Sequence, residues 1–272
     1  MDSSTPSFEA PPVVETAISV TFKPIKGFGN AHLGLFWQQV RGDFPERTDA
    51  EPIESQEERF DSDGRRGPAA PRLQLRLSRA MGASRLQMAS EDGHRMVQVQ
   101  NGRLVYNWRR LTEEETYPRW SSVRPAFHDA LSSFERFLEA EQLGPPAPMQ
   151  WEVTYYNYLL RGREWKTAAD WPRVVPGIVG GATQVEMGAL ESFSANWHYV
   201  LPEKAGRLHV DLFHGYTGPD ENAREALILQ LTARGPVAPD LDAGLELAHA
   251  AVVRTFAEIT SEEAHELWRR QA

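Results

Sequence analysis

Apolar and polar residues follow two rhythms along this chain, and the switches between them place its elements. Val13 to Phe22 is rich in β-branched residues and nearly alternates, which predicts a strand. From Asn30 the interval changes: Leu33, Phe36, Trp37 and Val40 recur at helical spacing, with Asn30 placed to cap them. Between Arg41 and Arg72 the chain is mostly Asp, Glu, Arg, Pro and Gly with little apolar periodicity, which predicts a long mobile loop. Short alternating runs follow at 73–77, 85–89, 95–100 and 103–108. Glu91-Asp92-Gly93 and Asn101-Gly102 are hairpin signals between the last three. Val123, Phe127, Leu131, Phe134 and Leu138 form the clearest helical stripe. Pro125 is tolerated in its first turn, where amides lack partners, and Gly144-Pro145-Pro146 ends it. A strand over 150–160 follows.

The second half repeats the theme. Trp165 to Pro176 reads as a connector with a short helix, and a Gly-rich link, Gly177 to Gly181, leads to strands near 184–200, 206–214 and 225–234. A helix from Asp240 buries Leu241, Leu245, Ala248, Val252 and Phe256. Thr260-Ser261-Glu262-Glu263 is a capping box that opens a last helix over 261–270. Strands first and a long helix after, in each half, predict an α+β fold. It consists of two similar modules of mostly antiparallel sheet, each with a long amphipathic helix packed on one face, related by internal duplication. The expected division is 1–160 for the first module, 161–183 for a connector and 184–272 for the second, with room for one continuous sheet.

Composition narrows the function classes. The chain has 272 residues, 41% of them hydrophobic, enough for a sizeable core. Its net charge of −9 argues against a protein that grips phosphate backbones. With no cysteine, disulfides, thiolate zinc sites and cysteine nucleophiles are excluded. The polar, acidic first twelve residues lack the features of a secretory signal. No apolar stretch approaches the roughly 20 residues that span a bilayer. A cytoplasmic location with no membrane partner is expected.

The motifs G-x-S-x-G, H-E-x-x-H, the Walker phosphate loop and the kinase set are all absent. His198, His209, Asp211 and His214 form the most suggestive polar cluster. His209 and Asp211 share a face by two-residue periodicity, whereas His214 projects from the other. The turn after Pro202 puts His198 opposite residue 210, one position from His209, so convergence on a metal is not expected. No metal and no cofactor are predicted. Arg109 could grip a carboxylate or phosphate, or pair with Glu15 or Glu152 to hold strands in register. Trp151, Tyr155, Tyr156, Tyr158, Trp197 and Tyr199 make two strands aromatic. Aromatics on strands mostly build core; beyond that they could line a ligand cavity, or stack nucleobases as a more distant option. His249 adjoins a buried stripe and reads as a hydrogen-bonded core histidine.

Several stretches, taken in order, resemble an uncharacterised, sporadically distributed set of bacterial proteins of about this length. They are Pro11-Pro12-Val13-Val14-Glu15, His32-Leu33-Gly34-Leu35-Phe36-Trp37, Gln98-Val99-Gln100 through Asn107-Trp108-Arg109, Tyr117-Pro118-Arg119, and Glu152-Val153-Thr154-Tyr155 with Asn157. Leu247-Ala248-His249, Phe256, Thr260, His265 and Trp268 complete the match. The resemblance brings no activity with it. The patchy distribution implies a conditional role, such as an accessory component of a defence or toxin-type system. The leading expectation is therefore a non-enzymatic binding or interaction protein with a protein partner or small ligand, and a homodimer is compatible with it. The candidate contact residues are Arg109, Trp151, Tyr155, Asn157, Trp197, His198, His209 and Asp211. The alternative is an enzyme using His209 and Asp211 with Glu186 or Glu191 as acid–base groups. A single-stranded nucleic-acid binder using the aromatic strands comes third.

Overall fold

The structure is a computed structural model and describes residues 5–54, 56–60, 84–112, 114–177, 184–218 and 223–271. The elements in chain order are β1 (Ser7–Phe8), β2 (Val13–Phe22), α1 (Asn30–Val40), β3 (Glu46–Ala50), β4 (Arg85–Ala89), β5 (Arg95–Gln100), β6 (Arg103–Arg109), α2 (Trp120–Ala140) and β7 (Pro148–Leu160). After β7 come α3 (Trp171–Val174), β8 (Gln184–Val185), β9 (Gly188–Ala189), β10 (Ser194–Val200), β11 (Arg207–Thr217), β12 (Arg224–Pro236), α4 (Leu241–Ile259), α5 (Glu262–Leu267) and β13 (Arg270–Gln271). Nine strands form one sheet in the order β10-β11-β12-β7-β2-β6-β5-β4-β3, with every neighbouring pair antiparallel. The chain is α+β.

One face of that sheet is apolar because alternation survives in every inner strand. Ile18 stands opposite Val153 and Tyr106, Val153 opposite Ala233, and Ala233 opposite Leu208, so one register row buries a continuous apolar band. The long helix α2 lies over β6 and β2, and α4 lies over β7, β12 and β11. The stripe read from the sequence is the buried one. Val123, Phe127, Leu131, Phe134 and Leu138 are buried on α2, and Leu245, Ala248, Val252 and Phe256 on α4, with Leu241 half-buried. Gly29 rather than Asn30 stands at the cap position of α1, and its amide donates to His32 Nδ1 at 3.1 Å. Ser261 caps α5 by accepting from the Ala264 amide.

The first half pairs its strands as β2-β6-β5-β4, the second as β7-β12-β11-β10, and the halves join along β2 and β7. The sheet therefore runs through position 160, and β7 pairs with strands from both expected modules. Only 194–200 of the strand expected over 184–200 enters this sheet; 184–185 and 188–189 form a separate ribbon. The strand expected at 73–77 and most of the Gly-rich link lie outside the described residues.

The sequence reading expects a loop over 41–72, but residues 46–50 form the edge strand β3, paired to β4. All but Ala50 are exposed, so no buried face imposes an alternating pattern, while the backbone still supplies the ladder. The described residues of the next stretch, 51–54 and 56–60, form a strap on the polar face of the sheet. Gln150 binds this strap twice: its side-chain amide donates to Gln56 O at 2.8 Å, and its Oε1 accepts from the Glu58 amide at 2.9 Å. Glu58 accepts from Arg207 at 2.5 Å and lies 2.6 Å from His209 Nε2. No helix of the described residues is long and apolar enough to cross a membrane.

Candidate functional site

Register sorts the eight candidate residues onto opposite faces of the sheet. Trp151, Tyr155, Asn157 and Trp197 point to the helices; Arg109, His198, His209 and Asp211 point away. They do not form one site. Trp151 is core, 1% exposed. Trp197 sits half-buried on the edge strand and donates to Tyr199 OH at 3.0 Å. The Arg109 guanidinium donates to Gly93 O at 2.9 Å and lies near Glu15. Asn157 is buried and donates to Leu229 O at 3.1 Å, across to β12.

His198 is directly opposite His209, not one residue off: Val200 pairs with Arg207, so the hairpin is centred between Glu203 and Lys204 rather than on Lys204. Their rings are 5.9 Å apart, but His209 is turned to Glu58 on the strap. Half-buried Asp211 faces Asn196 and Gln230, and burial raises its pKa. His214 projects to the other face and binds Glu225 at 2.9 Å. Glu191 lines a separate depression with Arg161 and Trp171, and Glu186 is exposed on the β8–β9 turn. Among the described residues, no three or more His, Asp and Glu side chains stand in metal-binding geometry.

Two candidates, Tyr155 and Asn157, line a cavity of about 460 Å³ on the helix side of the sheet. Val252, Val253 and Phe256 of α4, Val13 of β2, and Phe8 and Pro11 of the first segment supply its apolar wall. A chain of polar atoms enters this wall: Tyr117 OH is 2.7 Å from Tyr155 OH, which is 3.0 Å from His249 Nδ1. His249 lies flat on Trp120, with centroids 4.4 Å apart and planes at 3°. Trp120 Nε1 donates to Glu246, which also binds Arg124. Arg119 holds the first segment over the cavity by donating to Phe8 O at 2.6 Å and Glu9 O at 3.3 Å. It does so from a left-handed backbone, φ 74°, strained for a residue with a Cβ.

Burial sets the protonation states. It pushes the Tyr155 hydroxyl well above its ordinary pKa and raises that of Tyr117, so both stay protonated. Burial pulls His249 down to about 4 against the opposing charge of Glu246, so the imidazole is neutral at neutral pH. The chain closes when Tyr117 donates to Tyr155 and Tyr155 donates to Nδ1, which leaves Nε2 of His249 carrying the proton. Tyr117-Pro118-Arg119 and His249 stand out in the sequence, but only the fold brings them beside Tyr155.

The depressed His249 pKa makes a pH prediction. Between about pH 6.5 and 4 the unfolded chain takes up a proton that the folded chain refuses. This contribution is therefore complete above pH 6.5 and declines as pH falls toward 4, by up to about 1.4 kcal/mol per pH unit. His265, also lowered by burial, adds to the same trend. His249→Gln should flatten the slope of the urea midpoint between about pH 7 and 5. An unchanged slope would place the histidine in a wetter environment.

Scanned against protein-family models and against curated proteins, the sequence matches none.

Proposed function

We propose that this chain is a non-enzymatic binding protein that holds a small, mainly apolar molecule with a hydrogen-bonding head in the cavity between α2 and α4. The observation that carries the reading is the cavity's make-up. A cavity of about 460 Å³ with a mainly apolar wall is lined by one hydrogen-bonded side-chain relay, Tyr117–Tyr155–His249, beside Arg119 and Asn157. Those two are engaged by the backbone at Phe8, Glu9 and Leu229. An apolar wall with few polar groups is how ligand sites combine affinity with orientation. Neutral His249 and the two protonated tyrosines favour an uncharged head such as an alcohol or amide, because a charge there would lose its water. The aromatic strands support this reading over nucleobase stacking, since Trp151 and Tyr155 are buried beneath helices.

We further read the chain as a cytoplasmic bacterial protein with an accessory role in a defence or toxin-type system, on the resemblance described above. The matching strand orders of the two halves support internal duplication.

The neutral fluorophore N-phenyl-1-naphthylamine tests the cavity. It should bind saturably and be displaced by a medium-chain alcohol. Val253→Trp, which fills the cavity from a half-buried position, should weaken uptake about tenfold or more without changing the far-UV circular dichroism. Absence of saturable uptake, or uptake untouched by Val253→Trp, would refute the reading.

A further inference from the structure

The nine-stranded sheet ends on two strands of opposite character, β3 and β10. A sheet edge offers unpaired amides and carbonyls to any other strand, and folds commonly guard it with charge. β3 is guarded in this way: Glu46, Arg47 and Asp49 are three of its five residues. β10 has seven residues, Ser194 to Val200, and none of them is Asp, Glu, Lys or Arg. Among the described residues nine large hydrophobic side chains are exposed, and four of them stand on the last two strands of this edge. They are Tyr199 and Val200 on β10, and Phe213 and Tyr216 on β11.

Pairing with β11 fixes which backbone groups β10 leaves open. The Leu201 amide donates to Gly206 O, and Phe193 O accepts from the His214 amide, so the odd-numbered residues between them bond inward to β11. Ser194, Asn196, His198 and Val200 therefore turn their amides and carbonyls outward, and all four residues are exposed. Among the described residues nothing hydrogen-bonds to those outward groups. Asn196 and His198 carry their side chains on the polar face, next to Asp211 and His209, whereas Trp197 lies on the helix face opposite Val210.

We infer that β10 is the surface through which two copies of this chain associate, strand against antiparallel strand across a two-fold axis at Trp197. The inference stands apart from the cavity reading and does not depend on it. The axis follows from the side chains. With Trp197 on it, the whole strand pairs: Ser194 with Val200 of the second copy, Ala195 with Tyr199, Asn196 with His198, and Trp197 with Trp197. Each outward amide then meets an outward carbonyl. The large Tyr199 side chain falls beside the small Ala195, and Asn196 faces a hydrogen-bonding partner in His198. The two indoles meet at a non-hydrogen-bonded position, where facing side chains come closest. An axis at Asn196 or His198 would leave part of the strand unpaired. A second copy fits better than an unrelated strand because β10 is its own complement, as a two-fold contact requires. Charge agrees: two chains of net charge −9 repel, and an uncharged strand is where they approach at least cost.

Sedimentation velocity on the full chain should find a dimer of twice the 30.7 kDa chain mass. Asn196→Pro removes an outward amide and leaves the inward bonds to β11. It should raise the dimer dissociation constant about tenfold or more, with the far-UV circular dichroism unchanged. The chain has no cysteine, so cross-linking reads the register. Trp197→Cys should give a disulfide-linked dimer on mild oxidation, because facing Cα atoms in such a pair lie about 4.5 Å apart. Ala195→Cys and Tyr199→Cys should not link to themselves, but a mixture of the two should link. If Asn196→Pro fails to fold, the cross-links decide. A parent that stays monomeric at about 1 mM overturns the inference, whether or not another protein's strand occupies β10. A dimer that folded Asn196→Pro leaves intact, or cross-linking indifferent to position, overturns it as well.

Discussion

Phe134→Ala should lower the unfolding free energy by about 3–5 kcal/mol, the scale for deleting a buried aromatic side chain. Phe134 is fully buried and stands where three parts of the first half meet. Its ring lies 5.3 Å from Phe36 of α1, 5.8 Å from Phe22 of β2 and 5.8 Å from Phe28 in the connection between them. Truncation leaves a hole walled by three rings on three separate elements, none able to close it without moving its own backbone. Urea unfolding followed by circular dichroism measures the loss. A midpoint within error of the parent would mean that this stripe faces solvent.

Trp151→Ala should cost a similar amount, about 3–5 kcal/mol, for a different reason. The indole lies in a cradle of close backbone. A Cβ on Gly244 of α4 would sit 2.2 Å from Trp151 Nε1, and one on Gly235 would sit 2.5 Å from the far side of the ring. The missing side chains are what let α4 and the end of β12 close around the indole. Gly244→Ala gains about 1 kcal/mol of helix propensity, yet overpacking of about 3 kcal/mol outweighs it, because the buried ring has nowhere to retreat. Gly244→Ala should therefore destabilise the parent but stabilise a Trp151→Ala background. Additive effects in that double-mutant cycle would show that the two positions do not touch.

Trp151 also shows where sequence reasoning stops. An aromatic on a strand is compatible with core, pocket wall or stacking platform, and only Gly206, Gly235 and Gly244, distant in sequence and all close to its ring, make it core. The cavity chain has the same character. Tyr155 could be chosen as a candidate from its strand, but Tyr117 is 38 residues away and His249 is 94. No local pattern predicts that three hydroxyl and imidazole groups from a loop, a strand and a helix will converge.

The sequence by itself determined the long helices and the inner strands, their buried stripes and the α+β class, but not the exposed edge strand β3 or the β8–β9 ribbon. What it determined depends on side-chain periods of two or 3.6 within a few turns of the chain. Tertiary structure alone decided register and face. The His198–His209 pairing shows how sensitive that choice is: a shift of one residue across a hairpin moves a side chain through the sheet. It also decided the course of residues 51–54 and 56–60. The strap is held by Gln56, Glu58 and Gln150 rather than by apolar burial, and hydrogen bonds between distant polar side chains leave no period in the sequence.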